Sequence, residues 1–199
     1  MKGVWERIAE RHEGRIVALE PLEQRHAKGL REAAADERAW EFMVTRDIDH
    51  WIEGTFADLR AGVRVPYVVL RAGEVIGSTS YLSMAPEHLR LEIGATWNAP
   101  SAWGSGANTD AKYLLLRHAF EVLGCRRVEF KTDARNGRAR AALAALPAEF
   151  EGTHRKHMLV RGGERRDSAW YAVIDDDWPA VKAALERRID RAVRGMSGV

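Results

Sequence analysis

The chain has 199 residues and 46% hydrophobic content, enough for one ordinary domain with a core of its own. Its 31 basic and 29 acidic side chains leave a net charge of +2, too near balance for a dedicated nucleic-acid binder. Cys125 is the only cysteine, which excludes an intrachain disulfide and a multi-cysteine metal site and fits a reducing, cytoplasmic setting.

No apolar run approaches the roughly 20 residues of a membrane span, and the first residues carry no apolar signal core. Residues 1–13 are polar and read as a loosely packed tail, with Trp5 and Ile8 as its docking points. Arg15–Glu20 reads as a short strand ended by Pro21. Leu22, His26, Leu30 and Ala33 or Ala34 fit a helix over about 22–35, and a second helical piece lies near Arg38–Met43. Ile48, Ile52, Phe56 and Leu59 repeat at helical spacing, and Gly62 stops that helix. Pro66–Leu70 and Glu74–Ser83 form a hairpin around Arg71-Ala72-Gly73.

The central stretch is Leu89–Leu123. Leu89, Leu91, Ile93, Ala95 and Trp97 alternate with Arg90, Glu92, Gly94 and Thr96, which predicts a half-buried strand with those two sets on opposite faces. Pro100 and the run Trp103–Thr109 break it. A helix follows, capped by Asn108 or Thr109, with Asp110 in its first turn and a narrow polar line of Asp110, Tyr113, Arg117 and Glu121. Gly124 ends it, and Cys125 beyond reads as a small buried residue.

Arg127–Thr132 alternates as a strand, and Asn136–Leu146 is an alanine-rich helix ended by Pro147. Glu149–Val160 is a long strand, Arg161–Arg166 a charged turn, and Asp167–Val173 the last strand. Trp178, Val181, Leu185 and Ile189 mark a C-terminal helix, and 193–199 reads as a fraying tail. With no repeat and no linker, the order predicts one α/β (α+β) domain: a mixed sheet covered by helices.

The turn before the central helix has the chemistry of an anion site. A helix start presents backbone N–H groups without intrahelical partners, and Gly104 and Gly106 allow close approach of a phosphate. The plainer alternative is a tight strand-to-helix turn and nothing more. The spacing is neither a Walker loop nor G-x-G-x-x-G.

LEIGATW at 91–97, WGSGANTDAKYLLLRHAFE at 103–121, Asn136-Gly137-Arg138, FEGTHRKHML at 150–159 and RDSAWYAV at 166–173 occur in one order. In these pieces, over about residues 14–192, the chain resembles the GNAT (N-acetyltransferase) superfamily, and within it the ribosomal-protein-alanine acetyltransferase-like branch. The resemblance implies a single acetyltransferase domain whose mostly antiparallel sheet has a splayed central strand pair. Acetyl-CoA, as co-substrate, would bind in that split. By position, Ser105, Gly106, Ala107, Asn108 and Thr109 would meet its pyrophosphate, and Trp97 would run alongside its pantetheine. Asn136 would contact the pantetheine or a water beside it, and Arg138 and Arg140 the phosphates or adenosine, with exposed helix arginines as the alternative. The chain departs from the pattern at Asn108, Ala139 and Leu146-Pro147, and the helix tyrosine that often serves as general acid is absent.

Direct acetyl transfer to an amine needs a base and a polarised thioester carbonyl. Glu92 is the candidate base, a strand carboxylate paired with Arg90 or Lys131 being the alternative; Ser168 and Tyr171 are the candidate acids. Trp40, Met43, Trp51 and His157 are the candidate acceptor contacts, plain core being the alternative for the aromatic and methionine side chains. His154 and His157, three apart on a strand, are expected on opposite faces and so not as a metal pair. The expected reaction is N-acetylation of a primary amine: a protein N-terminus, an amino acid or a small amine. A non-catalytic acyl-CoA sensor or scaffold is the alternative. Ribosome or RNA binding through Arg155, Lys156, Arg161, Arg165 and Arg166 is disfavoured by the charge balance. A membrane partner is not expected, and a homodimer is left open.

Overall fold

The computed structural model describes residues 2–197, and its strands form one 8-stranded sheet in the order β1-β2-β3-β4-β5-β6-β8-β7. These are β1 (His12–Glu13), β2 (Ala18–Pro21), β3 (Arg64–Arg71), β4 (Glu74–Ala85), β5 (Arg90–Asn98), β6 (Arg127–Asp133), β7 (Glu149–Val160) and β8 (Glu164–Ile174). The helices are α1 (Lys2–Trp5), α2 (Ala27–Ala33), α3 (Ile48–Arg60), α4 (Ala107–Arg117), α5 (Gly137–Ala145) and α6 (Trp178–Ser197). Neighbouring strands pair antiparallel except β5 and β6, which run parallel and are joined through α4. A parallel pair needs such a crossover, and a helix is its usual form.

Each sheet face has its own core. One holds Leu91, Ile93, Val128 and Phe130 against Leu114, Leu115 and Leu116 of α4 and Leu185 and Ile189 of α6. The other holds Val68 and Trp97 against Leu30 of α2 and Trp51, Ile52 and Phe56 of α3. No described helix is long and apolar enough to cross a membrane.

Several expectations change. The segment before β1 is not a loose tail: Trp5 and His12 are buried, and His118 of the central helix meets the Arg7 carbonyl. The helix expected over 22–35 is a 3-10 turn followed by the shorter α2, and the piece near 38–43 is a 3-10 turn over Glu37–Trp40. The charged turn contracts to 161–163, because β8 begins at Glu164, which pairs with Val160. α6 continues through Val193 to Ser197 rather than fraying at 193; residues 198–199 of that expectation, like Met1, lie outside the described residues.

Within β5 the simple alternation fails. Ser78 pairs with Trp97 and Ser80 with Gly94, so Ala95 and Thr96 together oppose Thr79. Ala95 has φ +48, and the extra residue is a β-bulge. It shifts every later side chain to the other face. Trp97 therefore lies with α2 and α3 instead of sharing a face with Leu91 and Ile93, and Thr96 turns toward α4, where its hydroxyl meets that of Thr79 and, more distantly, accepts from the Lys112 ammonium.

Candidate active site

β5 and β6 pair at Arg90↔Arg127, Leu91↔Val128 and Glu92↔Glu129. Beyond that, Gly94–Asn98 and Lys131–Asp133 continue without pairing to each other, each held by its outer neighbour. The result is a split inside the sheet, edged by main-chain groups that need partners.

The mouth of the split is the turn before α4. The expected caps Asn108 and Thr109 lie inside the helix; Gly106 is the N-cap, with φ +85, and offers no side chain. Gly106 also has no room for one, since a Cβ would lie 2.7 Å from Ala192 Cβ and 2.8 Å from Ile16 Cδ1. The N–H groups of Asn108 and Thr109 belong to the first helical turn and have no intrahelical acceptor. Ser105 Oγ is engaged within the turn, donating to the Ala102 carbonyl at 2.7 Å. The side-chain oxygen of Asn108 is buried without a partner. Free N–H groups and a cap without a side chain suit the pyrophosphate of coenzyme A.

Asp110 is not on a solvated polar line. It is 1% exposed, and its Oδ2 accepts from the N–H groups of Ile16 at 2.6 Å and Val17 at 3.0 Å. It ties the first turn of α4 to the loop before β2. Across the mouth, Arg138 at the start of α5 stacks its guanidinium 3.5 Å from the ring centre of Trp103. Asn136 caps α5, its side-chain oxygen accepting from the Ala139 N–H at 3.0 Å. Arg140 is turned away from the mouth, donating to the Tyr171 hydroxyl at 3.1 Å and the Ala134 carbonyl at 3.2 Å.

At the inner end of the split lies Glu92, 1% exposed. Its Oε2 accepts from Lys131 Nζ at 2.9 Å and from the Ser83 hydroxyl at 3.2 Å. Its Oε1 lies over Gly94, where a Cβ would be 2.7 Å away. The carboxylate thus has one oxygen fixed and one left for a proton. The Lys131 pairing expected as the alternative to catalysis is present, and it orients the group.

Lys131 also lies 5.3 Å from the Trp170 ring, which contacts both His154 and His157. His157 Nδ1 is 3.0 Å from Ser168 Oγ. His154 and His157 share this face, with ring centres 5.7 Å apart, because β7 carries an irregularity between His154 and Met158 and Lys156 takes φ +52. Burial, then the Lys131 charge, lowers the His157 pKa. No group of three His, Cys, Asp or Glu able to hold a metal occurs among the described residues.

The structure brings Glu92, Ser168 and His157 onto one face. Tyr171 is not with them; it lies on the face covered by α4 and α6, against Phe130 and Phe150. Trp40 and Trp51 are each 4% exposed and pack with Trp97 at 4.9 and 5.7 Å, so these three rings are core. Met43 is half-buried, and its carbonyl accepts from Arg161. Arg161 and Arg166 are not a surface patch: Arg161 also binds Asp133 and Glu164, and Arg166 is 6% exposed. Cys125 is buried and its thiol is pushed up to about 12 by desolvation, which keeps it inert. Lys112 escaped the sequence reading altogether. It interrupts the apolar stripe of α4 and is only 8% exposed.

Residues 17–148 match the family described as acetyltransferase (GNAT) domain. No curated protein matches the chain in sequence. Among solved structures, a T. thermophilus protein described as a candidate acetyltransferase is 41% identical, with 90% of this chain and 96% of that one covered and a TM-score of 0.82. A GCN5-related N-acetyltransferase from Brucella melitensis is 30% identical, with coverage of 91% and 86% and a TM-score of 0.83. RimJ of Mycobacterium smegmatis, solved in complex with CoA-disulfide, is 25% identical, with coverage of 92% and 94% and a TM-score of 0.74; it agrees with the ribosomal-protein-alanine acetyltransferase-like branch. Split sheet, glycine-capped turn and family match converge, and the chain belongs to the GNAT family of acetyltransferases, whose acetyl donor is acetyl-CoA.

Proposed function

We propose that this protein moves the acetyl group of acetyl-CoA directly onto a primary amine, on a protein N-terminus, an amino acid or a small amine. The observation that carries this reading is Glu92, a buried carboxylate at the inner end of the split with one oxygen held by Lys131 and Ser83 and the other without a hydrogen bond.

When bound, acetyl-CoA supplies an activated thioester. The turn at Ser105–Thr109 would hold its pyrophosphate, and the unpaired edge of β5 from Gly94 to Asn98 its pantetheine. An alkylammonium must lose a proton before its nitrogen can attack, and Glu92 Oε1 accepts that proton, directly or through water. Main-chain N–H groups on the free edge of β5 face developing negative charge on the carbonyl oxygen. Lys131 keeps the Glu92 carboxylate in one orientation. The Ser168–His157 pair borders the acceptor side of the same face, and Trp170 forms its floor.

The test is a panel of amines, including peptides with free N-termini, with released thiol and acetylated product both measured. At least one amine is expected to turn over, and Glu92→Gln is expected to slow it by about 10²–10⁴-fold. Intact acetyl-CoA binding with no product from any amine would overturn the reading and leave a binding-only sensor.

A further inference from the structure

Lys112 has no role in the scheme above, yet its position is unusual for a lysine. It projects from the second turn of α4 toward the sheet. Its Nζ reaches Thr96 Oγ1 at 3.5 Å and lies 5.2 Å from the ring centre of Phe130. Thr96 is on the unpaired part of β5, and Phe130 is the first β6 residue beyond the last β5–β6 pair. The ammonium therefore spans the split just where the two strands part.

No carboxylate among the described residues forms an ion pair with it. From its own helix, Asp110 points away and is held by the Ile16 and Val17 N–H groups. The facing residues of β5 and β6, Thr96 and Phe130, are neutral. Glu92 and Lys131 are on the opposite face, bonded to each other. An ammonium out of water without a counter-charge is costly, so such a group either loses its proton or meets an anion. Desolvation accordingly lowers the Lys112 pKa to about 8.

Resting on the coenzyme reading above, we infer that Lys112 is the cation that receives the sulfur end of coenzyme A and holds it as a thiolate. The phosphates have their own donors at the helix start. Lys112 lies further along α4 than those donors, and its side chain reaches on to the place where the two strands part. Coenzyme A carries one other ionisable group that enters the split, its thiol, at the opposite end of the pantetheine from the phosphates. An alkyl thiol ionises near about 8.5 in water, and an adjacent cation in a low-dielectric site favours its charged form.

The test compares binding of CoA and desulfo-CoA to the wild type, Lys112→Met and Lys112→Arg, with the ultraviolet absorption of the thiolate followed against pH. In the wild type the bound thiol is expected to ionise at lower pH than free CoA. Lys112→Met should abolish that shift and weaken CoA about tenfold while desulfo-CoA binds as before, and Lys112→Arg should keep most of the preference. Equal weakening of both ligands, or an unchanged thiol titration, would mean that Lys112 only supports the fold and would overturn the inference. Should Lys112→Met fail to fold, the wild type alone decides: its preference for CoA over desulfo-CoA must grow as pH rises from about 6 to about 8. A flat ratio overturns the role of Lys112 with the coenzyme reading intact. Failure of either ligand to bind at all overturns both.

Discussion

The two borders of β5 behave differently. Toward β4 it is paired from Arg90 to Asn98, with irregular steps at the Ala95 bulge and, on the β4 side, between Leu82 and Ala85. Toward β6 the pairing stops after Glu92. The sheet thus keeps its continuity through β4 while a strand edge inside the fold stays open. Ordinarily an open edge is a liability that proteins cover. Here it is flanked by α4 on one face, by the Lys131–Trp170–His157 row on the other, and by a glycine-capped turn at its mouth. On the reading proposed above, the difference assigns affinity and chemistry to the open border, and stability to the closed border and its anchors.

Substitutions at four carboxylate or glycine positions separate the two. The largest expected effect is that of Glu92→Gln at the tip of the split: a loss of about 10²–10⁴-fold in acetyl transfer, with the fold retained because glutamine keeps the volume and its side-chain oxygen can still accept from Lys131 and Ser83. Steady-state rates beside a melting curve check it. Asp110→Ala is expected to do the reverse. It leaves two buried N–H groups, of Ile16 and Val17, without their acceptor, and costs about 3 kcal/mol in denaturant unfolding, with no direct effect on the chemistry.

Gly94→Ala falls between the two. Its methyl would lie 2.7 Å from Glu92 Oε1 and 2.9 Å from Leu82 Cδ1, so it costs about 1–3 kcal/mol and also tilts the base. A loss of activity without loss of acetyl-CoA binding is the signature to look for. The smallest expected effect is a pH dependence. Burial would raise the pKa of Asp133, at the β6 side of the split, but hydrogen bonds from Arg135 and Arg161 outweigh it and hold the carboxyl down to about 2, against an ordinary 3.8. A depressed carboxylate stabilises the fold above its unfolded pKa, and the contribution fades as pH falls from about 4 through about 2. It amounts to about 2 kcal/mol, and unfolding of Asp133→Asn followed between neutral pH and pH 2 should lack that part of the acid loss.

Much of the fold was legible because its signals are local and regular. The apolar stripe of the central helix, the turn at Ala72-Gly73 and the glycine stop at Gly124 each follow from one residue type doing what it does anywhere. Glu92, Gly106, Asn136 and Arg138, singled out through ordered motifs, all border the split or its mouth. What escaped is what depends on one backbone step. Ala95 and Lys156 adopt positive φ with no glycine to announce it, so the faces of Trp97 and of the His154–His157 pair were misassigned. Asp110 looked solvated because its partners are main-chain groups over ninety positions away in sequence. Lys112 went unnoticed because a helical wheel expects a lysine to reach water, and nothing in the sequence says that this one reaches into a split between strands.

The central claim is that acetyl-CoA occupies the open border of β5. Amide hydrogen exchange, measured on the full chain with and without saturating acetyl-CoA, reads it directly. The account predicts slowed exchange at Gly94–Asn98 and at Gly106–Thr109, with β2 and β3 unchanged. Binding of acetyl-CoA with no protection at these two segments, or with protection confined to other strands, would contradict it.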